Sequence, residues 1–253
     1  MLLGITENLQ ESTRLDVKKH IGLATVSTLI AFLIPFVLYA LFYFNVAHSK
    51  STFSADIQEP VAKVVTGTGI GSAFLVNPTT LLTARHVVAK NKVGDQVDLY
   101  FEHSKNQTHI KATVRYIAPA TEQADDEGGV KADYFLSDVA VLEVSAIDDI
   151  EPLVLGESDA VQNLDEVILI GYPGGDYSIT KGNINSDKFS GLNLFKLDAT
   201  ANPGNSGGPC ILKADNTVIG ILVGNRTTAQ QGDNISLKIN DVKKILRVAK
   251  INF

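Results

Sequence analysis

The feature that most limits how this chain can fold is an uncharged stretch near its N-terminus. No Asp, Glu, Lys or Arg occurs from Ile21 to Phe44, a run of 24 residues. As an α-helix rising about 1.5 Å per residue, this run reaches about 36 Å, enough to cross a hydrocarbon core about 30 Å thick. Pro35 would interrupt a soluble helix, whereas a membrane helix tolerates it as a kink. The sequence therefore predicts one transmembrane helix over residues 21–44.

Basic residues flanking this segment predict its orientation. Arg14, Lys18 and Lys19 precede it, whereas Lys50 and the weak base His48 follow it. Lysine and arginine concentrate in cytoplasmic loops, so we expect residues 1–20 in the cytoplasm and the remainder outside, which for a bacterial inner membrane is the periplasm.

A cleaved signal peptide is the alternative to an anchor. Its apolar region is typically about 7–15 residues long and ends at a small-x-small site. Here the run is longer, and the nearest candidate, residues 45–47, begins with Asn45. We therefore favour an uncleaved anchor, followed by a polar linker over residues 45–58 and a folded domain over residues 59–253.

Composition limits the partners and cofactors of that domain. The net charge of −6 argues against a nucleic-acid partner, since such proteins usually carry a basic face. The single cysteine, Cys210, forms no intramolecular disulfide and is expected to be a small buried hydrophobe. No His or Cys pair has metal-ligand spacing, so we predict no metal and no cofactor.

The folded domain shows many short strands and one helix. Residues 110–116 alternate apolar and polar side chains, which is typical of a half-buried strand. Further strands are predicted at residues 72–77, 81–84, 139–144, 167–170 and 218–223. Helical periodicity appears only at about 240–249, with Asn240 or Asp241 as its cap. The pattern favours an all-β domain of barrels or a sandwich.

Two glycine clusters resemble phosphate-binding loops but lack their context. No helix pattern follows residues 67–71, and no Lys-Ser/Thr pair follows residues 171–175. Both clusters are predicted to be turns.

Three residues carry the pattern of serine acyl-transfer chemistry, which needs a nucleophile, a base and a group that orients the base. Ser206 lies in the glycine-rich string GNSGGP at residues 204–209. His86 follows an apolar strand, and Asp138 precedes another. Each alone has an ordinary structural interpretation, but their order His-Asp-Ser is that of the chymotrypsin fold.

These segments resemble trypsin-like peptidases, and specifically the HtrA (Deg) family. The string DATANPGNSGGP at residues 198–209 is very similar to the family's nucleophile segment, and the likeness extends over about residues 60–250. The resemblance implies two six-stranded antiparallel β-barrels, over about 59–150 and 151–238, with a C-terminal helix. It also implies a catalytic triad of His86, Asp138 and Ser206, with the N–H groups of Gly204 and Ser206 as oxyanion donors.

Departures from the family pattern bear on activation and specificity. Asn205 replaces the aspartate that digestive relatives pair with a new N-terminus, so we expect activity without zymogen cleavage. Thr200 stands at the pocket-base position, where the lack of a carboxylate predicts cleavage after small or aliphatic residues. The strand beside the substrate is assigned to Val223, Gly224 and Asn225.

The resemblance also frames the function. It implies an endopeptidase acting on extracytoplasmic proteins, in quality control or regulated proteolysis, and family members commonly form trimers. The chain ends at Phe253 without the PDZ domain usual in the family, and the acidic segment 121–133 is interpreted as a solvated loop. The alternatives are a non-catalytic tethered binding or chaperone-like module and, less favoured, an esterase.

Overall fold

The computed structural model describes residues 57–120, 132–225 and 234–253. The predicted transmembrane helix, nearly all of the predicted linker and residues 121–131 of the acidic segment lie outside these ranges. Within them, no helix combines the length and apolar character needed to cross a membrane.

Twelve strands form two closed antiparallel barrels in the described residues. The first barrel has the strand order β1-β2-β3-β6-β5-β4. Its strands are β1 (Val61–Thr66), β2 (Gly69–Asn77), β3 (Thr80–Thr83), β4 (Gln96–Phe101), β5 (Thr108–Ile117) and β6 (Ala140–Glu143).

The second barrel repeats this architecture with the order β10-β11-β12-β9-β8-β7. Its strands are β7 (Glu166–Gly171), β8 (Ser178–Ser186), β9 (Leu194–Leu197), β10 (Pro209–Leu212), β11 (Thr217–Asn225) and β12 (Asn234–Lys238). The prediction of an all-β fold with two six-stranded barrels is confirmed.

Alternation of side chains explains how these strands close into barrels. In β5, Ala112 and Val114 are buried while Lys111 and Arg115 are exposed, because successive side chains of a strand point to opposite faces. A bulge between Val114 and Tyr116 bends the strand, as closure requires.

The first glycine cluster was predicted to be a turn throughout, and this is only partly right. Gly67 and Thr68 form a two-residue hairpin turn, since Thr66 pairs with Gly69. The remaining residues, 69–71, continue as β2, because a hairpin of this kind needs only two residues outside the ladder. In the second cluster, Gly171 ends β7, and the turn itself is a 3₁₀ helix at Pro173–Gly175.

The two barrels share a core. One apolar cluster joins Phe74 and Leu82 of the first barrel to Ile168 and Ile221 of the second. Because this cluster is continuous, the barrels are packed against each other by burial of apolar surface.

The C-terminal helix, α1, spans Ile239–Val248, but its predicted cap is wrong. Lys238 is the N-cap residue and makes no side-chain cap bond. Instead, Ser158 from a neighbouring 3₁₀ turn accepts the Asn240 N–H at 3.1 Å. A free N–H of the first turn is thus satisfied from another element, which a linear pattern does not reveal.

Candidate active site

His86 and Asp138 meet beside the first barrel's strand ends. His86 lies in a 3₁₀ turn, Arg85–Val88, directly after β3, and Asp138 lies between a 3₁₀ helix, Ala132–Ser137, and β6. The His86 Nδ1 is 2.6 Å from the Asp138 Oδ2, and the His86 backbone N–H donates to Oδ1 at 2.9 Å. With Nδ1–H as donor, Nε2 is left as the acceptor that a general base needs.

Burial differs between these two partners. The Asp138 side chain is fully buried, whereas the His86 side chain is 32% exposed. The carboxylate is therefore withdrawn from solvent while the imidazole can reach a substrate.

The 3₁₀ helix before Asp138 also corrects the C-terminal end of the acidic loop predicted over residues 121–133, because Ala132 and Asp133 belong to that helix.

Ser206 lies in the second barrel, in the turn between β9 and β10, and is partly exposed. This turn depends on left-handed backbone at Gly204, with φ 108°, and at Gly207, with φ 85°. A Cβ on Gly204 would lie 2.2 Å from the Tyr172 carbonyl oxygen, so only glycine fits there. Within the described residues no hydrogen bond joins the Ser206 hydroxyl to His86, a contact that commonly tightens only with substrate present.

The peptide units that carry the two predicted oxyanion donors have their carbonyl groups fixed by hydrogen bonds. The Gly174 N–H donates to the Pro203 carbonyl at 2.9 Å, and the Gly208 N–H donates to the Asn205 carbonyl at 2.9 Å. In a trans peptide the N–H points away from its carbonyl. The N–H groups of Gly204 and Ser206 are therefore turned the other way, and in the described part of the chain neither has an acceptor.

Ser72, at the centre of β2, supports the same turn from the first barrel. Its hydroxyl donates to the Gly204 carbonyl at 2.8 Å and accepts the Tyr172 N–H at 3.0 Å. Its backbone N–H donates to the Ser206 carbonyl at 2.8 Å. The residue is fully buried, and sequence reasoning missed it. Its only sequence signal is a polar residue directly before the apolar run 73–76.

The predicted substrate-binding residues are placed unequally. Thr200 is exposed, and its carbonyl accepts the Thr180 hydroxyl at 2.8 Å. Val223 is 1% exposed and lies at a bulge in β11. Gly224 faces Phe135, and Asn225 ends the strand. Their contact with substrate stays a prediction.

The thiol of Cys210, the single cysteine of the chain, takes no part in this arrangement. Cys210 is fully buried at the start of β10, as predicted, and burial raises the pKa of its thiol to about 12. Among the residues that the structure describes, no group of three or more His, Cys, Asp or Glu side chains is placed to hold a metal ion.

Comparison with known proteins agrees with this geometry. A family model described as the trypsin-like peptidase domain matches residues 71–221, which is more than half of the chain. The chain belongs to the trypsin-like peptidase family. The matched range contains His86, Asp138 and Ser206.

The curated relatives of this trypsin-like peptidase are proteases, and several of them are named HtrA-like or Do-like. Protease Do-like 4, mitochondrial, from Arabidopsis thaliana is 36% identical over 56% of this chain and 25% of the relative. Magnetosome formation protease MamE from Paramagnetospirillum magneticum is 41% identical over 33% of this chain and 12% of the relative. A serine protease HtrA-like from Staphylococcus epidermidis is 31% identical over 44% of this chain and 22% of the relative. The chain thus matches about a quarter or less of these relatives' lengths.

Solved structures show the same fold. The HtrA-type protease AlgW with tripeptide is 26% identical, with a TM-score of 0.60, over 78% of this chain and 62% of that chain. An inactive form of the Rv3671c protease is 22% identical, with a TM-score of 0.59, over 79% of this chain and 92% of that chain. At this identity it supports the fold alone. Within the trypsin-like peptidase family, the chain is thus similar to proteases that are named HtrA-like, HtrA-type or Do-like.

Proposed function

We propose that this trypsin-like peptidase is a membrane-anchored serine endopeptidase that hydrolyses extracytoplasmic proteins through an acyl-enzyme on Ser206. The observation that carries the proposal is the 2.6 Å contact between His86 Nδ1 and the buried Asp138 carboxylate. A histidine held in this way presents Nε2 as a base, which a binding module has no need of.

The proposed reaction has two halves. Ser206 Oγ attacks the carbonyl carbon of the scissile peptide while its proton passes to His86 Nε2. The negative charge on the carbonyl oxygen is met by the N–H groups of Gly204 and Ser206. His86 then protonates the leaving amine, and an ester on Ser206 remains.

Water reverses this sequence in the second half. It attacks the ester carbon and gives its proton to His86 Nε2. Collapse of the intermediate releases the carboxylic acid and returns the proton to Ser206 Oγ. Asp138 holds the imidazole ring in the required tautomer and stabilises the imidazolium during both halves.

A fluorophosphonate probe, which reacts with an activated serine, tests the assignment directly. We expect the purified chain to be labelled, and Ser206→Ala to abolish labelling together with cleavage of casein. Ser190→Ala is the control, since Ser190 is exposed and lies in the β8–β9 connection. A chain that folds but shows no Ser206-dependent labelling would support the tethered binding module instead, and hydrolysis of esters but not of casein would support an esterase.

The exposed Thr200 at the pocket-base position supports a preference for small or aliphatic residues before the scissile bond. A lysine or arginine there would lose hydration without gaining a partner carboxylate. A peptide-library profile should therefore be dominated by cleavage after alanine, valine or similar residues. A profile dominated by arginine would contradict this specificity and leave the triad assignment intact.

Anchoring rests on the uncharged run 21–44 and the basic residues before it. We expect the protein to stay with membranes through alkaline carbonate extraction, and a protease added outside the cytoplasmic membrane to reach the catalytic domain. Release by carbonate would contradict a spanning anchor. Assembly as a trimer, taken from the HtrA resemblance, is testable by mass measurement of the purified protein.

A further inference from the structure

Arg85, the residue before His86, is a buried charge that the proposed mechanism does not use. It is 5% exposed, which is unusual for an arginine. Its backbone lies in the same 3₁₀ turn as His86, so its side chain begins one residue from the proposed base. A buried cation at this position needs a physical reason, because removing a guanidinium from water costs several kcal/mol unless it is paired.

The guanidinium reaches the segment that carries Asp138. Its Nε is 3.8 Å from the Asp138 Oδ1, the oxygen that also accepts the His86 N–H. Its Nη2 donates to the Tyr134 carbonyl at 3.2 Å, and its Cζ lies 4.1 Å from the centroid of the Tyr134 ring. Tyr134 belongs to the 3₁₀ helix Ala132–Ser137, which ends where Asp138 begins. The Arg85 side chain thus connects the turn that contains His86 to the segment that contains Asp138.

The charges at this site explain why the pairing matters. In the resting enzyme a histidine that acts as a base is neutral, so it does not neutralise the buried Asp138 carboxylate. Of the two described groups that pair with this carboxylate, only Arg85 is always charged. Its Nη1 is buried and lacks a partner within the described residues, so its contacts with Asp138 and Tyr134 are the ones that offset the cost of burying this charge.

We propose that Arg85 is a positioning residue of the triad, which holds Asp138 and the preceding helix so that the carboxylate accepts both His86 hydrogen bonds. This role rests on the proposed function, because it acts through the His86–Asp138 pair. It predicts that losing Arg85 lowers the rate of the chemical step and leaves substrate binding nearly unchanged.

A double-mutant cycle on the full chain separates this role from a merely structural one. We expect Arg85→Met to lower both kcat and the rate of fluorophosphonate labelling about tenfold or more, while KM changes less than about twofold. In an Asp138→Asn background, Arg85→Met should cost little further in the rate of fluorophosphonate labelling, because the charge pair through which it acts is already gone. Equal losses in both backgrounds, or an unchanged kcat in Arg85→Met, would overturn the proposal.

Two further variants keep the test decisive. Arg115→Met is the matched control, since Arg115 pairs with Glu143 at 3.9 Å in the same barrel but is 58% exposed, and we expect its kcat to equal that of the wild type. Arg85→Lys keeps the charge but lacks the planar fork, so it should recover part of the kcat lost in Arg85→Met. If Arg85→Met does not fold, Arg85→Lys carries the test, and a kcat equal to wild type in that variant would overturn the proposal.

The proposed function and the role of Arg85 fail in different ways. Labelling that survives Ser206→Ala would overturn the triad and with it the role of Arg85. Labelling that depends on Ser206, together with additive losses in the cycle, would overturn only the role of Arg85.

Discussion

Single hydrogen bonds to carbonyl groups orient the nucleophile turn. The carbonyls of Pro203, Gly204 and Ser206 are held by Gly174 or by Ser72. Ser72 makes two of these bonds from the first barrel and also accepts the Tyr172 N–H. Because a peptide unit is rigid, the bond from Gly174 to the Pro203 carbonyl also fixes the direction of the Gly204 N–H, and the bond from Gly208 to the Asn205 carbonyl fixes that of the Ser206 N–H. Ser72 holds the two neighbouring carbonyls, those of Gly204 and Ser206, and so fixes the backbone around both donors before substrate arrives.

Ser72→Ala tests this support. Loss of the hydroxyl leaves the Gly204 carbonyl and the Tyr172 N–H without their buried partner, so we expect kcat/KM to fall about tenfold or more, at a cost of about 1–3 kcal/mol in the free energy of unfolding. Steady-state kinetics and denaturant unfolding measure the two effects.

Ser236→Ala is the matched control for Ser72→Ala. Ser236 is equally buried and donates one hydrogen bond, at 3.1 Å, to the Ile221 carbonyl. Its loss should lower stability with little effect on kcat. If both variants reduce kcat alike, Ser72 has no special relation to the turn.

Gly204→Ala tests the geometry of the turn more severely. Its Cβ would lie 2.2 Å from the Tyr172 carbonyl oxygen at a φ of 108°, so the turn must move. Displacing one oxyanion donor should lower kcat about a hundredfold or more. Gly191→Ala is the control for backbone strain alone, because Gly191 has a φ of 80° and open space around it. Wild-type kcat in Gly204→Ala would show that this N–H is not an oxyanion donor.

At the level of strands and helices, much of the fold was predictable from local sequence. The alternation in β5 and the helical periodicity of α1 arise within one segment, so a pattern in the sequence records them. Ser72 and Arg85 were missed because their roles depend on partners far along the chain. Ser72 bonds to Gly204, and Arg85 contacts Tyr134 and Asp138. The chain order His-Asp-Ser was informative, yet the distance between His86 and Asp138 required the barrel to close.

Capping of α1 from outside predicts an effect confined to stability. Ser158→Ala removes the hydroxyl that accepts the Asn240 N–H, and a lost cap costs about 1 kcal/mol. For a domain of this size we expect the melting temperature to fall by about 2–4 °C, with kcat unchanged. Thermal unfolding checks this, and Ser145→Ala, at an exposed serine between β6 and β7, is the control. An unchanged melting temperature in Ser158→Ala would show that the helix does not depend on this cap.

In the whole molecule, aromatic side chains join the barrels near Tyr177. Its hydroxyl donates to the Gln58 Oε1 at 2.7 Å, and its ring centroid is 3.6 Å from that of His103 in the β4–β5 connection. Its ring also meets Tyr172 edge-on, with 5.8 Å between centroids. Burial raises the pKa of the Tyr177 phenol from about 10 to about 12. Ionising this phenol therefore opposes the folded state.

This shift predicts how stability responds to alkali. Because the folded pKa is raised, the unfolded chain loses the Tyr177 proton first. The stabilisation that comes from keeping the Tyr177 phenol neutral is complete below pH 10 and is lost as the pH rises toward 12. Over this range the free energy of unfolding falls by no more than about 1.4 kcal/mol per pH unit on this account. Tyr177→Phe keeps the ring and removes the titration, so its unfolding free energy should fall less than that of wild type over this range. Parallel curves from urea unfolding at each pH would contradict the prediction.

Ser72 belongs to the first barrel, yet three of its hydrogen bonds end on the Tyr172–Ser206 side of the molecule. If the barrels slide apart without unfolding, the nucleophile turn loses this support while every strand keeps its ladder. Such a molecule gives a native circular dichroism spectrum and no turnover. We therefore expect mild denaturant or hydrostatic pressure to inactivate the enzyme reversibly before its secondary structure unfolds. Turnover is then a more sensitive measure than circular dichroism of how the two barrels pack against each other.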